Sequence, residues 1–244
     1  MSRFFVKSNM ICGSEITLSE EDSAHLARVL RANIGDEITV CDDNGTEYEA
    51  EIFFISKKEV KAKITDFKKS ASEPNIEVTI FQGLPKGSKM ERIIQKCVEI
   101  GVCSIVPVET SRAVVKINDE KSVGKVKRWN KIAEEAAKQS GRGKIPKVEM
   151  PVSFKEAAEK AAEFDMAIIA YEQHDKADIK TYLRSKAPKK IAVYIGPEGG
   201  FEEEEIKLAA DSGIYAVSLG KRILRTETAP IALLSVLMYE YDWE

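Results

Sequence analysis

The chain lacks the sequence features that mark membrane, secreted and redox proteins. No stretch of its 244 residues approaches the ~20 consecutive apolar residues that a membrane-spanning helix needs. The start, Met1–Lys7, has no apolar segment of the signal-peptide type. The four cysteines, Cys12, Cys41, Cys97 and Cys103, form no C-x-x-C pair, which argues against a zinc knuckle or a redox motif. We therefore expect a cytoplasmic protein with free thiols and no membrane partner.

Histidine and excess positive charge are also scarce. Neither His25 nor His174 has a cysteine, aspartate or serine partner motif nearby, so both are expected to be structural or surface residues, and no metal is predicted. The formal net charge is −3, so any contact with nucleic acid must come from local basic patches.

Residues 1–70 predict a compact β-barrel with one helix. The turn Asn44-Gly45 separates two alternating apolar runs, which is a strong hairpin signal. Ser19 is a good N-cap for the helix, and Leu26, Val29 and Leu30 have the spacing of one apolar helix face. The polar segment 68–75 follows as the best candidate for a linker.

From residue 74 to 244, strands and helices alternate, which is typical of an α/β domain with a parallel sheet. Two short apolar runs, 191–195 and 214–217, each lead into a glycine-bearing loop. Because ligands of open α/β sheets bind at the carboxyl ends of strands, these loops predict a cofactor cradle. The first loop is also compatible with a plain strand–helix turn, and the second with a solvated charge cluster and a helix cap. The acidic run Glu202–Glu205 after the first loop favours a cofactor with a positive centre over an anionic one.

Separated basic residues predict an RNA-binding surface, since phosphate contact is the commonest use of such clusters. The predicted RNA-binding residues are Arg28, Arg31, Lys86, Lys89, Arg142 and Arg222. Taken singly, each is better explained as an ordinary surface charge.

Five segments together resemble one known family. They are His25–Arg31, Lys86–Glu91 with Ile94–Val102, Ala136–Arg142 with Pro146, Ile195–Gly200, and Leu219–Ala229. Their order and spacing across almost the whole chain resemble the ribosomal RNA small subunit methyltransferase E (RsmE) family of the SPOUT superfamily.

The resemblance implies an N-terminal PUA-like RNA-binding barrel in residues 1–70 and a SPOUT α/β domain with a deep trefoil knot in residues 74–244. It also implies a homodimer that uses S-adenosylmethionine to methylate N3 of one uridine in 16S rRNA of the small ribosomal subunit. The cofactor-binding residues it implies are Ala170, Tyr171, Glu172, Ile195, Gly196, Pro197, Glu198, Gly199, Gly200, Ser218, Leu219, Gly220, Ile223, Leu224 and Thr228. A side chain at Gly199 is expected to occupy the space left for adenosine.

Arg225 and Glu198 are the expected catalytic residues. Loss of the uridine N3 proton spreads negative charge onto two carbonyl oxygens, which a guanidinium at Arg225 would stabilise. The alternative is that Arg225 pairs with Glu198 or Glu227 and only supports the loop.

Two other functions remain compatible with the pattern: a knotted methyltransferase that acts on a tRNA ribose, and an RNA-binding protein without a cofactor site. The last helix, from about Ala229 to Tyr241, is apolar round most of its circumference. It predicts either a dimer interface or the central helix of a monomeric core.

Overall fold

The computed structural model describes residues 2–113, 119–171 and 179–243. The strands are β1 (Ser2–Phe5), β2 (Ile11–Cys12), β3 (Glu15–Thr17), β4 (Glu37–Cys41), β5 (Thr46–Ile55), β6 (Val60–Lys69), β7 (Glu77–Gly83), β8 (Ser104–Glu109), β9 (Lys147–Val148), β10 (Val152–Ser153), β11 (Met166–Ala170), β12 (Lys190–Ile195) and β13 (Tyr215–Val217). The helices are α1 (Glu20–His25), α2 (Lys89–Ile100), α3 (Asp119–Ser140), α4 (Phe154–Glu159), α5 (Ile179–Arg184), α6 (Glu203–Asp211) and α7 (Ala229–Tyr241). None of the helices in the described ranges is both long and apolar enough to cross a bilayer.

The first unit comprises the chain up to Glu73 together with Ala137–Ile145. The predicted hairpin is confirmed, because β4 and β5 pair in antiparallel register on either side of the Asn44-Gly45 turn. Six strands form one sheet in the order β1-β4-β5-β6-β3-β2, with only β1 and β4 parallel. In the long strand β5, the alternate residues Ala50 and Ile52 bury their side chains in its core, and Ile38 and Val40 of β4 join them there.

The predicted apolar helix face was wrong beyond Leu26. The helix α1 ends at His25, and Leu26–Leu30 continues it as a π-helical turn. This wider turn breaks the spacing that would stack the three apolar residues on one face. Leu26 is buried, whereas Val29 is 65% exposed and Leu30 44% exposed.

An ion pair between Glu73 and Arg142 joins the two segments of the first unit. The sequence analysis placed Glu73 in a linker and predicted that Arg142 binds RNA. The guanidinium of Arg142 donates to both carboxylate oxygens of Glu73, at 2.7 and 3.0 Å. The backbone N–H groups of Gly143 and Lys144 donate to the same carboxylate. Arg142 is only 4% exposed, so its predicted role in binding phosphate is replaced by a structural one. Lys68 and Lys69, placed in the linker by sequence, belong to β6.

We expect Glu73→Gln to lower the free energy of unfolding of this unit by about 3–5 kcal/mol at neutral pH, because it removes the carboxylate that neutralises the buried Arg142 guanidinium. Burial alone would raise the pKa of Glu73, but Arg142 and the two backbone N–H groups hold it below the usual value. This stabilisation is therefore present above the ordinary glutamate pKa of about 4.3 and is lost as pH falls through the lower folded-state pKa.

Thermal or urea unfolding of both proteins at several pH values measures the difference. Glu59→Gln is the control, since it removes a carboxylate from an exposed pair with Lys61 in the same unit, and such a pair contributes about 0–1 kcal/mol. Equal losses from the two variants would contradict the structural role of Glu73.

The second unit, formed by Pro74–Ala136 and Pro146–Glu244, confirms the predicted parallel α/β architecture. Its strands run in the order β10-β8-β7-β12-β11-β13, and β9 pairs with β8. Every one of these ladders is parallel. The helices α2 and α7 pack against each other, as do α4 and α6. All neighbouring strands therefore present their carboxyl ends at the same edge.

Candidate functional site

The carboxyl ends of β11, β12 and β13 lie around a cavity of about 430 Å³. That volume lies within the range of roughly 300–1,000 Å³ usual for small-molecule sites. The predicted cofactor residues that line it are Ala170, Tyr171, Ile195, Gly196, Pro197, Glu198, Gly199, Gly200, Ser218, Leu219, Gly220, Ile223 and Leu224. Thr228 precedes α7 and is absent from the lining, while Glu172 lies outside the described residues.

The wall of the cavity also includes side chains that the sequence did not single out for it. These are Lys89, Arg112, Phe201, Glu203, Thr226, Glu227 and Ala229; Arg222 and Arg225 line it as well. Phe201 follows the glycine loop directly, and Thr226 lies inside the second loop, so proximity to the motifs was a usable signal for both. Arg112 is 87 residues from Gly199, and no local pattern connects the two.

The first loop, residues 196–200, rests closely on the end of β7. A Cβ atom built on Gly83 would lie 2.6 Å from Cδ of Pro197 and 2.7 Å from its backbone nitrogen. Only a residue without a side chain permits this approach. Further along the loop, Gly200 has a φ of +69°, a left-handed conformation that favours glycine.

The expected role of Gly199 is corrected by its surroundings. A Cβ atom on Gly199 would lie 3.0 Å from Cβ of Arg112, so it points at that side chain and not into free space. Arg112 donates from Nη1 to the carbonyl oxygen of Gly199 and forms two hydrogen bonds with Glu202. Arg112 thus holds the first loop against the start of α6.

The second loop, residues 218–228, is joined to the first by a side-chain hydrogen bond. Oγ1 of Thr226 donates to the carbonyl oxygen of Gly196 at 2.7 Å. Gly220 in the same loop has a φ of +101°, and a Cβ atom there would meet no atom within 4 Å. The two predicted loops therefore form one continuous wall.

Glu198 connects the first loop to the segment that precedes α2. Its carboxylate accepts hydrogen bonds from the backbone N–H of Lys86, at 3.1 Å, and from Nζ of Lys89, at 2.7 Å. Burial alone would raise the pKa of Glu198, but the Lys89 ammonium and the backbone N–H groups hold it below its usual value. These hydrogen bonds give Glu198 a bridging role between the two segments, and its predicted catalytic role stays a prediction.

Arg225 lines the cavity and is exposed. Among the residues that the structure describes, its side chain forms no ion pair with Glu198 or Glu227. The alternative in which those carboxylates hold Arg225 as a loop support is therefore not observed. A guanidinium without such partners is available to a ligand.

The other predicted RNA-binding residues differ in their surroundings. Arg28, Arg31, Lys86 and Arg222 are exposed. The ammonium of Lys89 is already engaged by Glu198 and lies 3.9 Å from Oε2 of Glu227.

The chemistry of the cavity wall suits S-adenosylmethionine. Three carboxylates, from Glu198, Glu203 and Glu227, line it beside four basic side chains, so the wall offers groups of both signs to a zwitterionic ligand. Leu219 and Leu224 supply apolar surface, and the glycine loops bring backbone carbonyls close to the cavity. In the described ranges, no cluster of three or more histidine, cysteine, aspartate or glutamate side chains could hold a metal ion.

Two family models match the chain. The RNA methyltransferase domain matches residues 72–238, and the RNA methyltransferase PUA domain matches residues 18–65. Ribosomal RNA small subunit methyltransferase E of Bacillus subtilis is 36% identical over 250 residues, which cover 99% of this chain and 98% of that protein. The Synechocystis protein of the same name is 35% identical over 96% of this chain and 76% of its own length.

The fold is also similar to a solved structure that contains a cofactor. Ribosomal RNA small subunit methyltransferase E from Neisseria gonorrhoeae, bound to S-adenosylmethionine, is 32% identical and superposes with a TM-score of 0.85. The match covers 99% of this chain and 98% of that one.

Proposed function

The chain belongs to the ribosomal RNA small subunit methyltransferase E family, and from this we propose that it methylates N3 of one uridine in 16S rRNA, with S-adenosylmethionine as methyl donor. The observation that carries the proposal is the cavity at the carboxyl ends of the parallel strands β11, β12 and β13, lined by both glycine loops. A related structure of the same name holds S-adenosylmethionine. Residues 1–70 would form the RNA-binding unit and residues 74–244 the methyltransferase unit.

We propose that the cofactor lies against Ala170 and Tyr171, the 196–200 loop and Ser218–Leu224. When bound, S-adenosylmethionine supplies an electrophilic methyl group, so the protein mainly has to hold that carbon in line with the nucleophile. Glu198 and Arg112 support the first loop from two sides, through Lys89 and through the Gly199 carbonyl. Such support limits the positions that the cofactor can adopt.

For the nucleotide, we propose that Arg225 stabilises the negative charge that develops when N3 of uracil loses its proton. A neutral N3 is a weak nucleophile because its lone pair is delocalised into the two adjacent carbonyl groups. The guanidinium stays cationic at any working pH and can donate two parallel hydrogen bonds. Its place in the cavity wall, without a carboxylate partner among the described residues, supports this role.

The proposal is tested with 16S rRNA from a strain that lacks this gene. Purified protein and S-adenosylmethionine should add one methyl group at one uridine, which mass mapping locates. Methylation at N3 blocks base pairing, so primer extension should stop at that position. A ribose methyl group leaves the pairing edge free, and detection of that product would overturn the N3 assignment.

We further propose that Arg28 and Arg31 contact RNA phosphates. The PUA match to residues 18–65 supports this, as does the exposure of both side chains. Replacing both with alanine should weaken RNA binding and reduce the slope of log affinity against log salt by about one unit per lost contact. Cofactor affinity should not change.

Binding titrations at several salt concentrations measure that slope. The control removes two other exposed charges of the same unit, with Lys57→Ala and Lys58→Ala together. A slope that falls equally in both double variants would indicate general electrostatic attraction and contradict a specific contact.

We also propose a homodimer through α7. Leu233, Leu234 and Leu237 are buried on one side of this helix, while Val236 and Tyr239 on the other are 43% and 71% exposed. A large exposed apolar side of a helix is usually covered by another element, and the family resemblance favours a second copy.

Light scattering at micromolar concentration should give the mass of a dimer, and Tyr239→Asp should give a monomer. Val123→Asp, at another exposed apolar position on α3, should leave the dimer intact. A monomeric wild-type protein would refute this interface.

The deep trefoil knot and a cytoplasmic location complete the proposal. The knot is supported by the resemblance to the family. The location is supported by the proposed rRNA substrate and by four cysteines that are all free.

A further inference from the structure

The end of β7 carries a polar side chain that is completely buried behind the cavity. Gln82 is 0% exposed and does not line the cavity. Its Nε2 donates to the carbonyl oxygen of Gly83 and to Oγ1 of Thr226, each at 3.0 Å. Thr226 in turn donates to the carbonyl oxygen of Gly196. We call these connected groups of Gln82, Thr226 and Gly196 the Gln82 bridge.

The orientation of the amide follows from its partners. The carbonyl oxygen of Gly83 can only accept a hydrogen bond, so the amide nitrogen and not the amide oxygen must face it. The hydroxyl of Thr226 then has both a donor and an acceptor partner, because it accepts a hydrogen bond from Gln82 and donates one to Gly196. In the part of the chain that the structure describes, Oε1 of Gln82 has no hydrogen-bond partner.

An unpaired buried amide oxygen is costly, and an apolar side chain of similar length would avoid that cost. The two hydrogen bonds that Nε2 donates offset the cost of the unpaired amide oxygen. Through them the end of β7 fixes Thr226, and Thr226 fixes the Gly196 carbonyl. The bridge therefore sets the spacing between the two loops that form the cavity wall.

We propose that Gln82 is a positioning residue for the cofactor, acting through the hydroxyl of Thr226. Gln82 is buried outside the cavity, so it acts on cofactor affinity only through the loop geometry. This inference rests on the proposed function only for the identity of the cofactor.

The test measures the affinity for S-adenosylmethionine by calorimetry in four variants. Gln82→Met and Thr226→Val should each weaken binding about tenfold, the effect of losing a buried hydrogen bond. Thr226→Ser keeps the hydroxyl and should bind within about twofold of wild type. The double variant should be no weaker than the weaker single one, since both changes break the same chain of bonds.

Thr79→Val is the matched control. It removes a hydroxyl from the same strand, where Thr79 pairs with Ser104, away from the strand end. It should leave cofactor affinity unchanged even if the thermal midpoint falls. A loss of affinity that follows the thermal midpoint across all variants would overturn the positioning role, because it would reflect general stability.

Additive losses in the double variant, or Gln82→Met with wild-type affinity, would also overturn it. Should Gln82→Met fail to fold, Gln82→Leu, which is smaller and also lacks the amide, carries the same decision, whereas the Thr226 variants alone test only the bond to Gly196. A wild-type protein that binds S-adenosylmethionine but leaves uridine N3 unmethylated would overturn the proposed substrate and not the Gln82 bridge.

Discussion

Arg225→Ala should lower the single-turnover rate of methyl transfer by ~10²–10³, the loss typical of removing one charge-stabilising donor. The reason is that the negative charge on uracil is greatest as N3 attacks the methyl carbon. Arg225 lines the cavity and, within the described ranges, forms no ion pair with Glu198 or Glu227. Its loss should therefore raise the barrier without releasing the loop.

The controls separate catalysis from binding. Arg225→Lys should recover little of the rate, because an ammonium lacks the planar pair of donors. Cofactor affinity, measured by calorimetry, should change much less than the rate. A near-normal rate with collapsed cofactor affinity would show that Arg225 supports the loop and does not stabilise charge.

Gly83→Ala should weaken S-adenosylmethionine binding by about 10–100-fold, the range expected when an added methyl group forces a packed backbone apart. The new Cβ would lie 2.7 Å from the backbone nitrogen of Pro197 and 3.0 Å from the carbonyl carbon of Gly196. Backbone atoms cannot rotate away as the end of a side chain can. The first loop must therefore shift as a whole.

Gly124→Ala is the matched control, since its Cβ would meet no atom within 4 Å and Gly124 lies in α3. Calorimetry with both variants, each checked for a native circular dichroism spectrum, gives the comparison. Wild-type affinity in Gly83→Ala would mean that the contact between β7 and the first loop has no part in cofactor binding.

Local patterns predicted the strands and the two loops well because each signal lies within a few residues. The apolar run 191–195 and the glycines after it are adjacent in the chain, and the parallel sheet then brings the loops together. The exposure of Val29 and Leu30 was not predicted, because an apolar spacing typical of an α-helix cannot show that the helix widens into a π-helical turn after His25.

Contacts between side chains far apart in the sequence were also not predicted. Arg142 was predicted to bind RNA, but in the structure it pairs with Glu73, which is 69 residues earlier in the chain. Gln82 and Thr226 are 144 residues apart, and nothing near either one indicates the bond between them. Glu198 similarly gained its bridging role from Lys86 and Lys89, 112 and 109 residues away.

The pairing of Glu73 with Arg142 determines when the first unit can complete its folding during translation. When Glu73 leaves the ribosome, the guanidinium and the two backbone N–H groups that its carboxylate needs have not yet been translated. The first unit also includes Ala137–Ile145, so its last segment arrives only after a further 63 residues, from 74 to 136, have emerged. A nascent chain that stops short of Arg142 therefore carries an incomplete first unit, and that unit can finish folding only once translation is more than halfway through the protein.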